Sequence, residues 1–152
     1  MPDMKEELKQ ARFIIGIDPG VNTGLAIYDR EDKKLTSVST ETILGAIDHV
    51  VMLDIYKDID ETECGIFVRF EDARLRTWFG NSGREKLQGA GSIKRDCSIW
   101  EEFLTVRKIP FEKVAPKRIK TKLDKIQFQK ITGWTKPTNE HGRDAAMLCL
   151  GY

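Results

Sequence analysis

The spacing of apolar positions changes several times along the chain, and each change marks an element. The run "FIIGI" from Phe13 to Ile17 is short, apolar and β-branched, which predicts a buried strand ending at Asp18. Pro19-Gly20 and Asn22-Thr23-Gly24 are turn chemistry. Leu25–Tyr28 reads as a second strand, "DREDKK" as a charged hairpin loop, and Leu35–Thr40 as a third, alternating strand. Over Thr42–Tyr56 the period becomes helical, with Ile43, Ile47, Val50, Val51 and Leu53 around one face. Gly65–Phe70 is a fourth strand, ending at Glu71. Gly80, Gly83, Gly89 and Gly91 predict a loop over 77–92. Ser92–Lys108 is helical again, with Ile93, Cys97, Trp100, Phe103 and Leu104 on a mostly apolar stripe. "IPFEKVAP" is a fifth strand, broken by Pro116, and Lys117–Thr132 is basic and helical or partly loop. A last helix runs from Asn139, with Ala145, Ala146, Leu148, Cys149 and Leu150 packing inward. Residues 1–11 are a polar N-terminal segment, either a short helix or a loose tail.

This order of elements predicts an α/β fold. Its mixed five-stranded sheet holds a three-strand antiparallel meander plus two parallel strands, flanked by helices. A length of 152 residues suits one domain spanning 1–152, and there is no repeat, low-complexity tract or linker.

Charge changes the picture more than composition does. The net charge of +1 conceals two unlike halves. Residues 1–68 carry 7 Lys/Arg against 14 Asp/Glu, whereas 69–152 carry 18 against 10. Within 113–136, 8 basic residues face one acid, Asp124. That segment reads either as a polyanion-facing surface or as a solvated basic helix. No apolar run approaches the roughly 20 residues of a membrane helix, so no membrane partner is expected. "MPDMKEELKQ" is not a secretory signal. Cys64, Cys97 and Cys149 are scattered without CxxC spacing, which argues for a reducing, cytoplasmic setting and against a disulfide framework or zinc site.

Three acids stand where apolar residues would be expected. Asp18 and Glu71 end the first and fourth strands, and Asp144 lies one turn into the last helix. If the helix over 42–56 carries the chain back in parallel beside the first strand, both strand ends share the edge where open α/β sheets place active sites. Carboxylates crowded there repel one another, and a hard divalent cation relieves the repulsion. Each acid also has an ordinary reading: Asp18 as a turn residue, Glu71 as a solvated strand end, Asp144 as a first-turn acid on the helix dipole.

Taken in order, "GIDPGVNTG", "FVRFED" and "EHGRDAAML" resemble the RuvC-type Holliday-junction resolvases of the ribonuclease H-like superfamily. The stretch "LQGAGSIKRDCSIWEEFLTVRKIPFEKVAPKRIK" is similar to that family's long helix, next strand and basic segment, so the resemblance spans about residues 13–150. It implies a ribonuclease H-like fold and a metal-dependent, structure-selective endonuclease that resolves four-way DNA junctions. It implies that Asp18, Glu71 and Asp144 hold two Mg²⁺ ions, with Mn²⁺ able to substitute. His141 takes the family's fourth acidic position, where it would ligate a metal, position water or shuttle a proton. Glu140 and Asp72 are neighbouring acids that could stand in. "DKIQFQK" resembles the family's K-x-Q stretch and points to Lys125 as a DNA contact, with Lys117, Arg118, Lys120 and Lys122 as supporting phosphate binders. Arg74 and Arg76 beside Trp78 and Phe79 read as a DNA-stacking loop or as a loop anchored on the core. This stretch after Glu71 is rearranged relative to the commoner cellular form, as in a phage-type or divergent member. The family works as homodimers on branched DNA. Trp100 and Phe103 read either as dimer contacts or as core.

Three other readings stand beside this one. The same site would serve a ribonuclease H-like nuclease acting on other branched or RNA-containing substrates. A non-catalytic junction-binding protein is disfavoured by the full acid set. An ATP-binding protein of the actin/sugar-kinase type shares a similar first hairpin, but it needs a second such domain and phosphate loop.

Overall fold

Strand-forming runs and turn residues fall where the sheet needs them. The computed structural model describes residues 3–59, 65–76, 84–117 and 122–152, without the side chains of 57–59 and 84–90. A short helix α1 (Met4–Gln10) is followed by β1 (Ala11–Asp18), β2 (Thr23–Asp29), β3 (Lys34–Glu41) and helix α2 (Ile43–Ile59). Then come β4 (Gly65–Glu71), helix α3 (Arg84–Val106), β5 (Phe111–Val114), and helices α4 (Lys125–Thr132) and α5 (Glu140–Cys149). The sheet order is β3-β2-β1-β4-β5. β1, β2 and β3 form the antiparallel meander, and β4 and β5 add in parallel. The expected mixed sheet flanked by helices is the one observed.

The period-2 alternation of β1 and β4 divides the core in two. On one face Ile15, Ile17, Val68 and Phe70 pack against Ala46 and Val50 of α2 and against Cys97, Trp100 and Leu104 of α3. On the other, Ile14, Ala26, Tyr28 and Phe67 pack against Phe128 of α4 and against Ala145, Ala146 and Cys149 of α5. The parity of the strands therefore puts Asp18 and Glu71 on the α5 face.

One sequence expectation needs correction, and one open alternative is decided. Of the loop expected over 77–92, residues 77–83 lie outside the described residues, and from Arg84 the chain is helix α3. Gly89 and Gly91 lie inside the helix, where each costs about 1 kcal/mol relative to Ala. A 23-residue helix rich in good formers such as Glu85, Lys86, Leu87, Gln88 and Ala90 carries that cost. Trp100 is no dimer contact: it is fully buried, with Phe103 edge-on to it at 5.8 Å between ring centroids. Its helix presents that stripe to the sheet, with Trp100 buried and Phe103 half-buried against the same core.

Of the basic stretch 117–132, residues 118–121 lie outside the described residues, and Lys125–Thr132 is a helix. Asp124 caps that helix by accepting the Gln127 N–H at 2.8 Å, and the Gln127 side chain accepts the Asp124 N–H at 3.1 Å. This reciprocal capping box explains the Asp-x-x-Gln spacing without any ligand. Among the described residues no helix is long and apolar enough to cross a membrane.

Candidate active site

The site begins with two neighbouring strands. In the parallel pair β1–β4, Ile17 lies opposite Phe70. One step further along that register brings Asp18 and Glu71 side by side, at the carboxyl ends of both strands. Asp18 also lies opposite Gly24 on β2. The Pro19–Asn22 turn is closed by the Thr23 hydroxyl, which donates to the Gly20 carbonyl at 2.8 Å.

Helix α5 reaches this edge because two strand residues have no side chain. A Cβ on Gly16 would lie 2.0 Å from the Ala145 carbonyl oxygen, and one on Gly24 would lie 1.9 Å from that of His141. Any other residue at either position would hold the helix off the sheet. Close approach is one of the recognised reasons for glycine inside a strand. Three further ties fix α5. Asn139 caps it, accepting the Gly142 N–H at 3.0 Å and the Thr40 hydroxyl. Arg143 donates to the Leu123 carbonyl at 2.9 Å and to the Thr138 hydroxyl at 3.1 Å. At the other end the buried Arg69 of β4 donates to the Leu148 carbonyl at 2.5 Å and to Glu112 at 3.0 Å, under the ring of Tyr152.

So seated, α5 delivers its first-turn residues as two pairs. His141 Nδ1 is 3.3 Å from Asp18 Oδ2, with the Asp18 side chain only 15% exposed. One turn along, Asp144 joins Glu71 in lining a cleft of about 270 Å³ whose rim holds Lys117. The four sequence-predicted site residues are thus assembled at one sheet edge from β1, β4 and α5. The set suits a hard divalent cation in kind, being three carboxylates and an imidazole. As they stand, no three His, Cys, Asp or Glu side chains among the described residues converge closely enough to hold an ion.

The surrounding charges are mostly committed within the protein. Asp72 is buried, and its two carboxylate oxygens accept from the Arg74 guanidinium at 2.8 and 2.7 Å. Arg74 also meets Glu101 and Ser98. It thereby ties the short turn after Glu71 to α3, and Asp72 holds an arginine rather than standing in as a metal ligand. Lys122 pairs with Glu140 at 2.5 Å. Lys125, at the start of α4, and Arg76 are exposed, as is Lys117. Arg118, Lys120, Trp78 and Phe79 lie outside the described residues.

Burial pushes the Asp72 carboxyl up, but the Arg74 guanidinium and backbone N–H outweigh it and leave the group below its ordinary range. A depressed carboxylate contributes stability that is present above its unfolded value and lost as pH falls through its folded one. Unfolding free energy should therefore decline below about pH 4, and Asp72→Asn should flatten that acid limb in urea titrations run at each pH. An unchanged acid limb in the variant would contradict this assignment.

The thiols near the site are inert. Cys97, which points at the Glu71 carbonyl, is pushed by burial to about 11, and Cys149 to about 12. Neither supplies a thiolate nucleophile near neutral pH. What the sequence did not single out is the seating of α5: Gly16, Asn139 with Thr40, and the Arg69 and Arg143 clamps. Gly16 inside an apolar run was the one available signal.

No family model matches the sequence, and no curated protein matches it. Among solved structures the chain is similar to T. thermophilus RuvC, determined in complex with a Holliday junction substrate. The identity is 16%, with 91% of each chain covered and a TM-score of 0.50. The α/β fold with its mixed five-stranded sheet is thus the ribonuclease H-like fold of RuvC.

Proposed function

We propose that this chain is a divalent-metal-dependent endonuclease that resolves four-way DNA junctions by hydrolysing phosphodiester bonds. The observation that supports the reading is the placing of Asp18 with His141, and of Glu71 with Asp144, at the carboxyl ends of two adjacent parallel strands. It is supported by a fold similar to that of RuvC, whose structure holds a Holliday junction. Asp18, Glu71 and Asp144, with His141, would hold two Mg²⁺ ions, and Mn²⁺ has the same ligand preferences. Such ions supply an activated water and charge stabilisation for the leaving oxygen. The chain's own residues do the rest. The carboxylates, carried on rigid strand ends and α5, would fix where the ions sit. Asp18, 3.3 Å from Nδ1, would orient the His141 imidazole for its part in that ligand set. Lys117 and Lys125, with Arg118 and Lys120, give the strand its phosphate contacts.

A homodimer follows from the substrate, since a four-way junction offers two symmetric strands to cut. With Trp100 buried, the exposed apolar face of α2 would be a surface for such a dimer. That helix turns Leu44, Met52, Ile55 and Tyr56 outward, with Leu44 72% exposed. The reducing, cytoplasmic setting is part of the same reading: Cys97 and Cys149 are free and buried.

A panel of labelled four-way junctions, flaps and RNA–DNA hybrids in Mg²⁺ tests the substrate class. Preferred cutting of the four-way junction is expected, and preference for flaps or hybrids would move the enzyme to another ribonuclease H-like specificity. Binding of Mg²⁺ should also raise the melting temperature in the absence of DNA, because the cation relieves repulsion among the clustered carboxylates. A melting temperature indifferent to Mg²⁺ would count against the site.

A further inference from the structure

We propose that the cleft beside Glu71 and Asp144 receives one unstacked nucleotide of the strand being cut. The inference rests on the nuclease reading above and adds what the substrate must look like next to the scissile phosphate. The cleft lies between the end of β5, α4 and α5, and its walls are mostly apolar: Val114, Leu123, Ile131, Met147 and Leu148. Two of these, Ile131 and Met147, are 54% and 41% exposed. Apolar walls left open to water gain from being covered by a flat apolar face, and every nucleobase has one. One end of the cleft carries Glu71 and Asp144, so a strand whose phosphate lies at those acids has its adjoining nucleotide at the apolar walls. Lys117 at the rim is placed for the next phosphate.

Size narrows the occupant further. At about 270 Å³ the cleft falls just below the range of small-molecule pockets, roughly 300–1,000 Å³. That is room for one ring system and not for a base pair. A base inside a duplex is paired and stacked, so only an extruded or unpaired one can enter. Arg143 is held by the Leu123 and Thr138 carbonyls, which makes it part of the wall rather than a reader of base edges. The contact is therefore one of stacking and coverage. It favours cutting beside a strand discontinuity such as a branch point.

The test uses the full chain, the Ile131→Asp and Met147→Asp variants, and four-way junctions in Mg²⁺. Each nucleotide flanking the mapped cut is replaced in turn by an abasic residue. Both substituted positions are exposed and lie on different helices, so loss of fold does not account for a shared result. At one position the abasic residue should slow the unchanged chain roughly tenfold. Both variants should be slow on the intact junction and gain no further loss from the abasic one, which is the signature of a shared contact. An abasic effect of equal size in all three proteins, or none at any position, would overturn the cleft assignment while leaving the nuclease reading intact. Absence of cutting of the intact junction by the unchanged chain would overturn the nuclease reading and the cleft with it.

Discussion

Asp18→Asn is expected to slow cutting of a four-way junction by more than about a thousandfold while junction binding is kept. The substitution preserves the shape of the side chain and removes its charge. Asp18 lies on β1, opposite Gly24 and beside Glu71 in register, with its side chain largely buried and His141 Nδ1 3.3 Å from it. Its carboxylate links the strand pair to α5 through His141. Neutralising it weakens cation binding and leaves His141 with a different partner. The basic residues proposed as DNA-backbone contacts are other side chains, so affinity for the junction, measured by gel shift, should survive. Full cleavage by Asp18→Asn would mean that the chemistry is not at this edge.

The second large effect is on seating rather than chemistry. Gly16→Ala and Gly24→Ala each place a methyl about 2 Å from a backbone carbonyl of α5. Backbone cannot rotate away as a side-chain end can, so the helix must move. Overpacking of this kind costs typically 1–3 kcal/mol and sometimes more. For a chain of this size that lowers the melting temperature by roughly 2–12 °C. Gly24→Ala acts at His141 itself, and should lose activity even at temperatures where the protein stays folded. A thermal melt together with a cleavage assay at low temperature separates the two effects. A Gly24→Ala protein that melts and cuts normally would show that the close approach of α5 is not what positions His141.

Much of this was legible in the residues, for physical reasons that also explain what was not. Strands such as "FIIGI" and "GIFVRF" are short, apolar and bounded by turn residues, so local pattern sets them. The parallel pairing of β1 and β4 followed from a helix-length segment between them. Asp18 and Glu71 were visible as charges at the ends of apolar runs, and Asp144 with His141 as polar residues one turn apart before an apolar stripe. The start of α3 was hidden because glycine is a strong local signal for a loop, yet a long helix absorbs Gly89 and Gly91. Trp100 was ambiguous because a stripe of large apolar residues looks the same whether it meets a sheet or a partner. The role of Arg74 was hidden more deeply. Its partners Asp72 and Glu101 come together only when the turn after β4 docks on α3, and no spacing in the sequence records that contact. Glycines 16 and 24 carried a legible oddity, but the element that approaches them lies more than a hundred residues further along the chain.

The most direct measurement maps, at nucleotide resolution, the products that the unchanged chain makes from a synthetic four-way junction in Mg²⁺. The account predicts paired, symmetry-related cuts near the branch point, lost on chelation of the metal and lost in Asp18→Asn. No cutting in Mg²⁺ or Mn²⁺, or cutting that persists in Asp18→Asn, would contradict it.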